Sequence, residues 1–119
     1  MFKNLVLVGA GGMLGSVLRY ACTLFIRSEN YPWATLIINI LGSFGIGLVI
    51  GAVVKTDNGT AWRLFLATGV CGGFTTFSAF SADCILLLGQ NRWMAALSYI
   101  TFSVLAGIAA AFAGLWILK

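Results

Sequence analysis

An all-α integral membrane protein with four transmembrane helices, the third of them broken, is the architecture expected of this chain. Three observations lead there. Of its 119 residues, 61% are hydrophobic and only 8% are charged, whereas a soluble domain carries about 25% charged residues. No water-facing surface can be built from such a chain. The apolar residues gather into four runs, each near the roughly 20 residues needed to cross a bilayer. Within the third run, Gly72-Gly73 is followed by a dense set of hydroxyl and aromatic side chains before any charge appears. Loosened backbone is tolerated at membrane depth only where protein or a water-lined cavity covers it. That stretch therefore reads as an ion site inside the membrane.

The first run covers residues 5–26. It follows Lys3 and superficially resembles a signal peptide, but it outlasts the usual apolar region of about 7–15 residues and no A-x-A site ends it. A retained first helix is expected. The loop 27–32 closes on Pro32, which suits a helix start, and the second run covers 33–54. Residues 55–60 contain Asn58-Gly59, a turn signal; Asn58-Gly59-Thr60 also fits a glycosylation sequon, with the turn the better reading. The third run, 61–88, is too long for a straight, untilted span. A break near Gly72-Gly73 divides it into two half-helices, each leaving backbone amides or carbonyls unpaired. Discontinuous membrane helices hold ions with such ends. After 89–92 the fourth run covers 93–118. Trp33, Trp93 and Trp116 fall at run ends, as an interfacial aromatic belt places them. Residues 1–119 thus form one domain, a single four-helix transmembrane subunit.

Small residues are abundant. Gly11 and Gly15 form a GxxxG pair, Ser43, Gly47 and Gly51 a ridge on the second helix, and Gly107, Ala111 and Leu115 a similar ridge on the fourth. Such ridges let backbones approach closely, either within the bundle or between subunits.

Four spans put both termini on one side, with Lys3, Lys55, Arg63 and Lys119. Arg19, Arg27 and Arg92 belong to the other. Four cations against three give almost no orientation preference under the positive-inside rule. One fixed orientation and insertion in both, with an antiparallel dimer, stay equally open on charge. The net charge of +4 is too scattered for a nucleic-acid footprint. Cys22, Cys71 and Cys84 lie in apolar runs and read as small buried hydrophobes. With no histidine, the usual proton shuttle and the commonest transition-metal ligand are missing. No nucleophile–base pair or phosphate loop points to catalysis.

The polar residues inside the runs are more specific. Thr35, Asn39 and Ser43 are spaced i, i+4, i+8 and share one helix face. The Asn39 amide offers two donors to an anion, or it glues helices together. Phe77 and Phe80 can face one cavity and turn their positive ring edges inward, or simply pack. Thr75, Thr76, Ser78 and Ser81 add hydroxyls, unless these bond back to the preceding turn. Tyr99 and Ser103 can stack hydroxyls on one face of the fourth helix, or Tyr99 can be an interface anchor. Arg19 sits about 10 Å of helix rise from residue 26 and can snorkel to the interface, where it makes an electropositive vestibule. Asp83 and Glu29 read as lying near run ends, which leaves hydroxyls, an amide and aromatic edges at mid-membrane. That inventory favours an anion, and it lacks the intramembrane ionisable group a proton-coupled pump needs.

These residues resemble the Fluc (CrcB) fluoride channel family over nearly the whole chain. The resemblance rests on Gly11-Gly12-Met13-Leu14-Gly15 with Arg19, on Thr35-Leu36-Ile37-Ile38-Asn39 with Gly42, and above all on the stretch from Gly69 to Ser81, Gly-Val-Cys-Gly-Gly-Phe-Thr-Thr-Phe-Ser-Ala-Phe-Ser. It implies a passive fluoride channel in the bacterial inner membrane, built as an antiparallel dual-topology homodimer with two pores. Phe77 and Phe80 would be the pore phenylalanines and Asn39 the pore asparagine. Ser78, Ser81, Tyr99 and Ser103 would form a hydroxyl track beside Thr76, with Arg19 at an entrance. A structural sodium (Na+) would sit at the two-fold axis on backbone carbonyls of Gly72 and Thr75. Ala79 and Gly107 depart from the family pattern, standing where threonine and serine are common, and shorten the hydroxyl track. Two other readings compete. A small multidrug transporter needs a carboxylate in the first helix, which has none. A non-conducting assembly subunit would use the polar residues only as glue.

Overall fold

The structure is a computed structural model that describes residues 1–27, 29–53, 55–57 and 59–118. Val54 at the end of the second run, Asn58 of the expected turn and Lys119 of the charge count lie outside the described residues. Helix α1 spans Phe2–Phe25 and α2 spans Trp33–Val53. The third run is helical over residues 59–74, here α3, and again over Phe77–Gly89, here α4. Helix α5 is Trp93–Leu118. Among the described residues there is no strand. Four stretches are long and apolar enough to cross a membrane: Phe2–Phe25, Trp33–Val53, Gly59–Gly89 and Trp93–Leu118.

The helices pack as two close pairs, α1 with α3 and α2 with α5. The small-residue ridges explain the pairing. Gly107 lies beside Ser43, Gly47 lies against the Ala111 carbonyl and the Leu115 amide, and Gly51 against the Leu115 carbonyl. A constant offset in these contacts means that α2 and α5 run parallel, ridge on ridge. A Cβ on Gly47 would stand 2.8 Å from the Leu115 nitrogen, so only glycine permits this approach. Gly11 and Gly69 meet the same way between α1 and α3, and a Cβ on Gly73 would lie 2.6 Å from the Gly12 carbonyl oxygen. The ridges are therefore used within the subunit.

Burial is sparse. Leu36, Leu87, Ala96 and Tyr99 form a small core where α2, α4 and α5 meet. Leu5, Val17, Ile85, Leu105 and Trp116 point outward. Apolar exposure on this scale marks a surface meant for lipid or another protein. Helix α4 ends in a Schellman motif: Asn91 is left-handed at φ 57°, and the amides of Asn91 and Arg92 donate back to the carbonyls of Leu88 and Leu87 at 3.0 Å each. Asparagine tolerates that conformation.

Helix α3 is unusual. Over Arg63–Cys71 it is wound wide, with π-type i→i+5 hydrogen bonding. Long stretches of this winding are rare and tend to occur at functional sites. The third run then bends. The expected locus was Gly72-Gly73, but Gly72 is helical (φ −63°, ψ −38°). The extended residues are Thr75 (φ −81°, ψ 157°) and Thr76 (φ −151°, ψ 118°). Neither needs a positive φ, so glycine is not required there. Threonine serves better because its hydroxyl caps helix ends. Thr75 donates its hydroxyl to the Cys71 carbonyl at 2.9 Å, and Thr76 Oγ1 accepts from the Ala79 amide at 3.1 Å.

Candidate ion site at the bend

The bend is held from α2. Asn39 Nδ2 donates to the Thr76 carbonyl at 3.1 Å, and the Thr76 amide donates to Asn39 Oδ1 at 2.8 Å. One side chain thus satisfies both backbone groups that the extended residue removes from the helix. The amide NH₂ carries two donors, so one N–H remains beyond the clasp. Arg19 closes the bend from α1, donating Nε to the Gly73 carbonyl at 3.1 Å. Its side chain is half-buried.

Beside the clasp lies an open groove of about 280 Å³ whose walls include Asn39, Ser43, Thr76, Phe77, Phe80 and Ser103. The two phenyl rings stand 5.7 Å apart, tilted by 39°. Phe77 is 78% exposed in the single subunit, so one side of the groove is unwalled. Ser103 Oγ is buried and, among the described residues, has no hydrogen-bond partner. A buried hydroxyl left without a partner is uncommon, and Ser103 is one of the residues lining the groove.

The other sequence-predicted residues are placed less uniformly. Ser78 Oγ lies 3.2 Å from Thr76 Oγ1 on an exposed edge of α4. Ser81 is half-buried and does not line the groove. Tyr99 is fully buried behind Phe80, ring centroids 5.1 Å apart. Its hydroxyl donates to Asp83 Oδ2 at 2.9 Å. Asp83, expected near a run end, lies six residues before Gly89, where the third span ends, and one turn past Phe80. The aromatic neighbourhood therefore does contain a carboxylate. Two signals pointed to it: Phe80 and Asp83 are three apart and share a face, and a buried tyrosine hydroxyl needs a partner. One turn along α2 from the groove, Thr35, Asp83, Glu29 and Arg92 border a second cavity of about 210 Å³.

Gly72 and Thr75 can be tested as carbonyl ligands for sodium. Gly72 is exposed, and a Cβ there would meet only the Ala67 carbonyl, at 3.6 Å. Packing within the subunit thus does not demand this glycine, and its face is open to something outside. Arg19 occupies the neighbouring Gly73 carbonyl. Oxygen donors of this kind suit a hard cation in kind.

The family model described as "CrcB-like protein, Camphor Resistance (CrcB)" matches residues 6–115, which takes in the second and third spans, the bend and most of the first and fourth spans. The chain belongs to the CrcB family. Among its relatives, "Fluoride-specific ion channel FluC" of Rhizobium meliloti (strain 1021) is 46% identical over 98% of this chain and 97% of that protein. The protein of the same name from Agrobacterium fabrum is 46% identical over 94% of this chain and 93% of its own length. "Fluoride-specific ion channel FluC 1" of Listeria innocua is 41% identical, with 97% of each chain covered. In this CrcB chain the two departures have local consequences. Ala79 contributes its backbone amide to the Thr76 cap, which a side chain at 79 does not alter. Gly107 leaves room beside Ser43, where an added Cβ would stand 3.6 Å from the hydroxyl oxygen.

Proposed function

We propose that this chain is the subunit of a passive fluoride channel in the bacterial inner membrane, assembled as an antiparallel homodimer with two pores. It is a channel subunit and not an enzyme. The observation that carries the reading is the groove at the bend, where an amide N–H, an unpartnered serine hydroxyl and two phenyl rings border one open space. Moving an anion into a low-dielectric region is prohibitive unless hydrogen bonds replace its water. Asn39, Ser103 and the hydroxyls around Thr76 supply donors, and the rings supply positively polarised edges. Neither binds an anion so tightly that it cannot leave. The membrane potential, worth about 2.3 kcal/mol per charge per 100 mV, drives the anion outward.

The homodimer is supported by the groove's missing wall and the open face of Gly72. A second, inverted copy would cover both, bringing two sets of Gly72 and Thr75 carbonyls to one sodium. When bound, the ion would tie the two bends together electrostatically. Arg19 keeps the Gly73 carbonyl oriented, and Thr75 keeps the end of α3 capped beside it.

The deciding experiment is fluoride efflux from liposomes containing only this chain, followed with a fluoride electrode and repeated for chloride. Fluoride release on addition of a potassium ionophore, with chloride retained, is expected. Vesicles that hold their fluoride would overturn the proposal.

A further inference from the structure

Five aromatic rings form an unbroken chain from the first loop to the groove. Trp33 and Tyr31 have centroids 4.8 Å apart, Tyr31 and Tyr99 5.8 Å, Tyr99 and Phe80 5.1 Å, and Phe80 and Phe77 5.7 Å. Only the last two border the groove. The contact between Tyr31 and Tyr99 is edge-to-face, with the planes at 86°, the arrangement that quadrupoles favour.

A phenyl ring offers an anion its edge or its face, and these have opposite polarity. The torsion that decides between them is broad for phenylalanine. Something must therefore hold the Phe80 ring, and Tyr99 packs directly on it. Tyr99 is in turn held at two points. Asp83 accepts its hydroxyl, and Tyr31 braces its ring. Tyr31 belongs to a loop, yet that loop is tied down. Tyr31 and Ser98 hydroxyls lie 3.3 Å apart, the Trp33 amide donates to the Tyr31 carbonyl at 2.7 Å, and Arg92 donates to the carbonyl of adjacent Asn30.

We infer that Tyr31 is a positioning residue for conduction: through Tyr99 it fixes the orientation of the Phe80 ring at the groove. It touches no ion itself. The inference rests on the channel reading above. Its ring matters more than its hydroxyl, because the ring makes the contact with Tyr99 and the hydroxyl reaches only an exposed serine.

The test compares wild type, Tyr31→Phe and Tyr31→Leu, each also prepared with 3-fluorophenylalanine at position 80, whose off-axis fluorine moves when the ring turns. Fluoride efflux from liposomes is read together with the ¹⁹F spectrum of the labelled ring. Tyr31→Phe should keep efflux within about twofold of wild type and leave the ¹⁹F line in place, since the edge-to-face pair survives. Tyr31→Leu should slow efflux about tenfold and shift or split the line, with the protein eluting at the wild-type size. Efflux that falls while the ¹⁹F line stays unmoved would overturn the inference, because Tyr31 would then act elsewhere. So would a moved line with wild-type efflux, or a Tyr31→Phe variant as slow as Tyr31→Leu. If wild type itself releases no fluoride, the channel reading fails instead, and the ¹⁹F comparison still reports whether Tyr31 sets the ring.

Discussion

Replacing Asn39 by alanine removes both hydrogen bonds that hold the bend, at 3.1 and 2.8 Å. Two estimates bracket the cost. Leaving a buried amide and a buried carbonyl wholly unsatisfied would cost ~1–3 kcal/mol each. Interhelical hydrogen bonds measured inside membranes are weaker, averaging ~0.6 and reaching ~1.7 kcal/mol. The second figure governs here, because Asn39 borders an open groove and water can follow the truncation. The expected loss is therefore about 1–3 kcal/mol, for the two bonds together. Thr76→Ala is the matched comparison. It keeps both backbone groups in the Asn39 clasp and loses the cap on Ala79 together with the exposed hydroxyl contact to Ser78, for about 1 kcal/mol. Unfolding by sodium dodecyl sulfate in mixed micelles, followed by tryptophan fluorescence, measures both. Asn39→Ala should be the less stable and should also pass fluoride at least about tenfold more slowly, since a donor to a charged partner is worth ~1.5–3 kcal/mol. An Asn39→Ala protein within about 0.5 kcal/mol of wild type, the range of an ordinary surface substitution, would refute the clasp.

Three further outcomes follow from the same geometry. Phe80→Ile keeps apolar volume but removes the polarised edge, so fluoride efflux should fall sharply while the protein elutes at the wild-type size; unchanged efflux would reject the pore role. Ser103→Ala removes a hydroxyl with no protein partner among the described residues, so detergent unfolding should be unchanged while efflux slows several-fold. Gly47→Ala drives a Cβ into the Ala111 carbonyl and to 2.8 Å from the Leu115 nitrogen, for an overpacking loss of about 1–3 kcal/mol. Gly89→Ala, with nothing within 4 Å in the subunit, should be neutral in the same detergent-unfolding measurement.

The four spans were legible in the chain because lipid imposes a length and a composition on each of them. The small-residue ridges were legible as ridges, and their spacing even carried the register, since 43, 47 and 51 meet 107, 111 and 115 in step. Which ridge met which was not written locally. The bend was legible to within a few residues, but its locus was misplaced onto Gly72-Gly73. Glycine signals loosened helix, whereas here hydroxyl capping by Thr75 and Thr76 ends one helix and starts the next. The Asn39 clasp joins positions 37 apart, and no periodicity within α2 could name its partner. Tyr99 was readable as a hydroxyl on a helix face, but its commitment to Asp83 depends on how α4 and α5 cross.

Three helices meet at the bend: Asn39 from α2 takes both polar groups of Thr76, Arg19 from α1 takes the Gly73 carbonyl, and Thr75 caps α3 from within. A site whose backbone is already satisfied does not collapse when empty, and it does not grip what enters. The groups left over are one amide N–H, the Ser103 hydroxyl and the ring edges. Of these, the Asn39 amide is fixed in place by two hydrogen bonds that the ion does not share. Donors held this way need no reorganisation as charge passes, which is the electrostatic advantage of a preformed polar environment over water. The same logic explains why the unpartnered serine lies at the groove rather than in the core. In the core an orphan hydroxyl only destabilises, whereas on the channel reading proposed above its missing partner would be the passing ion.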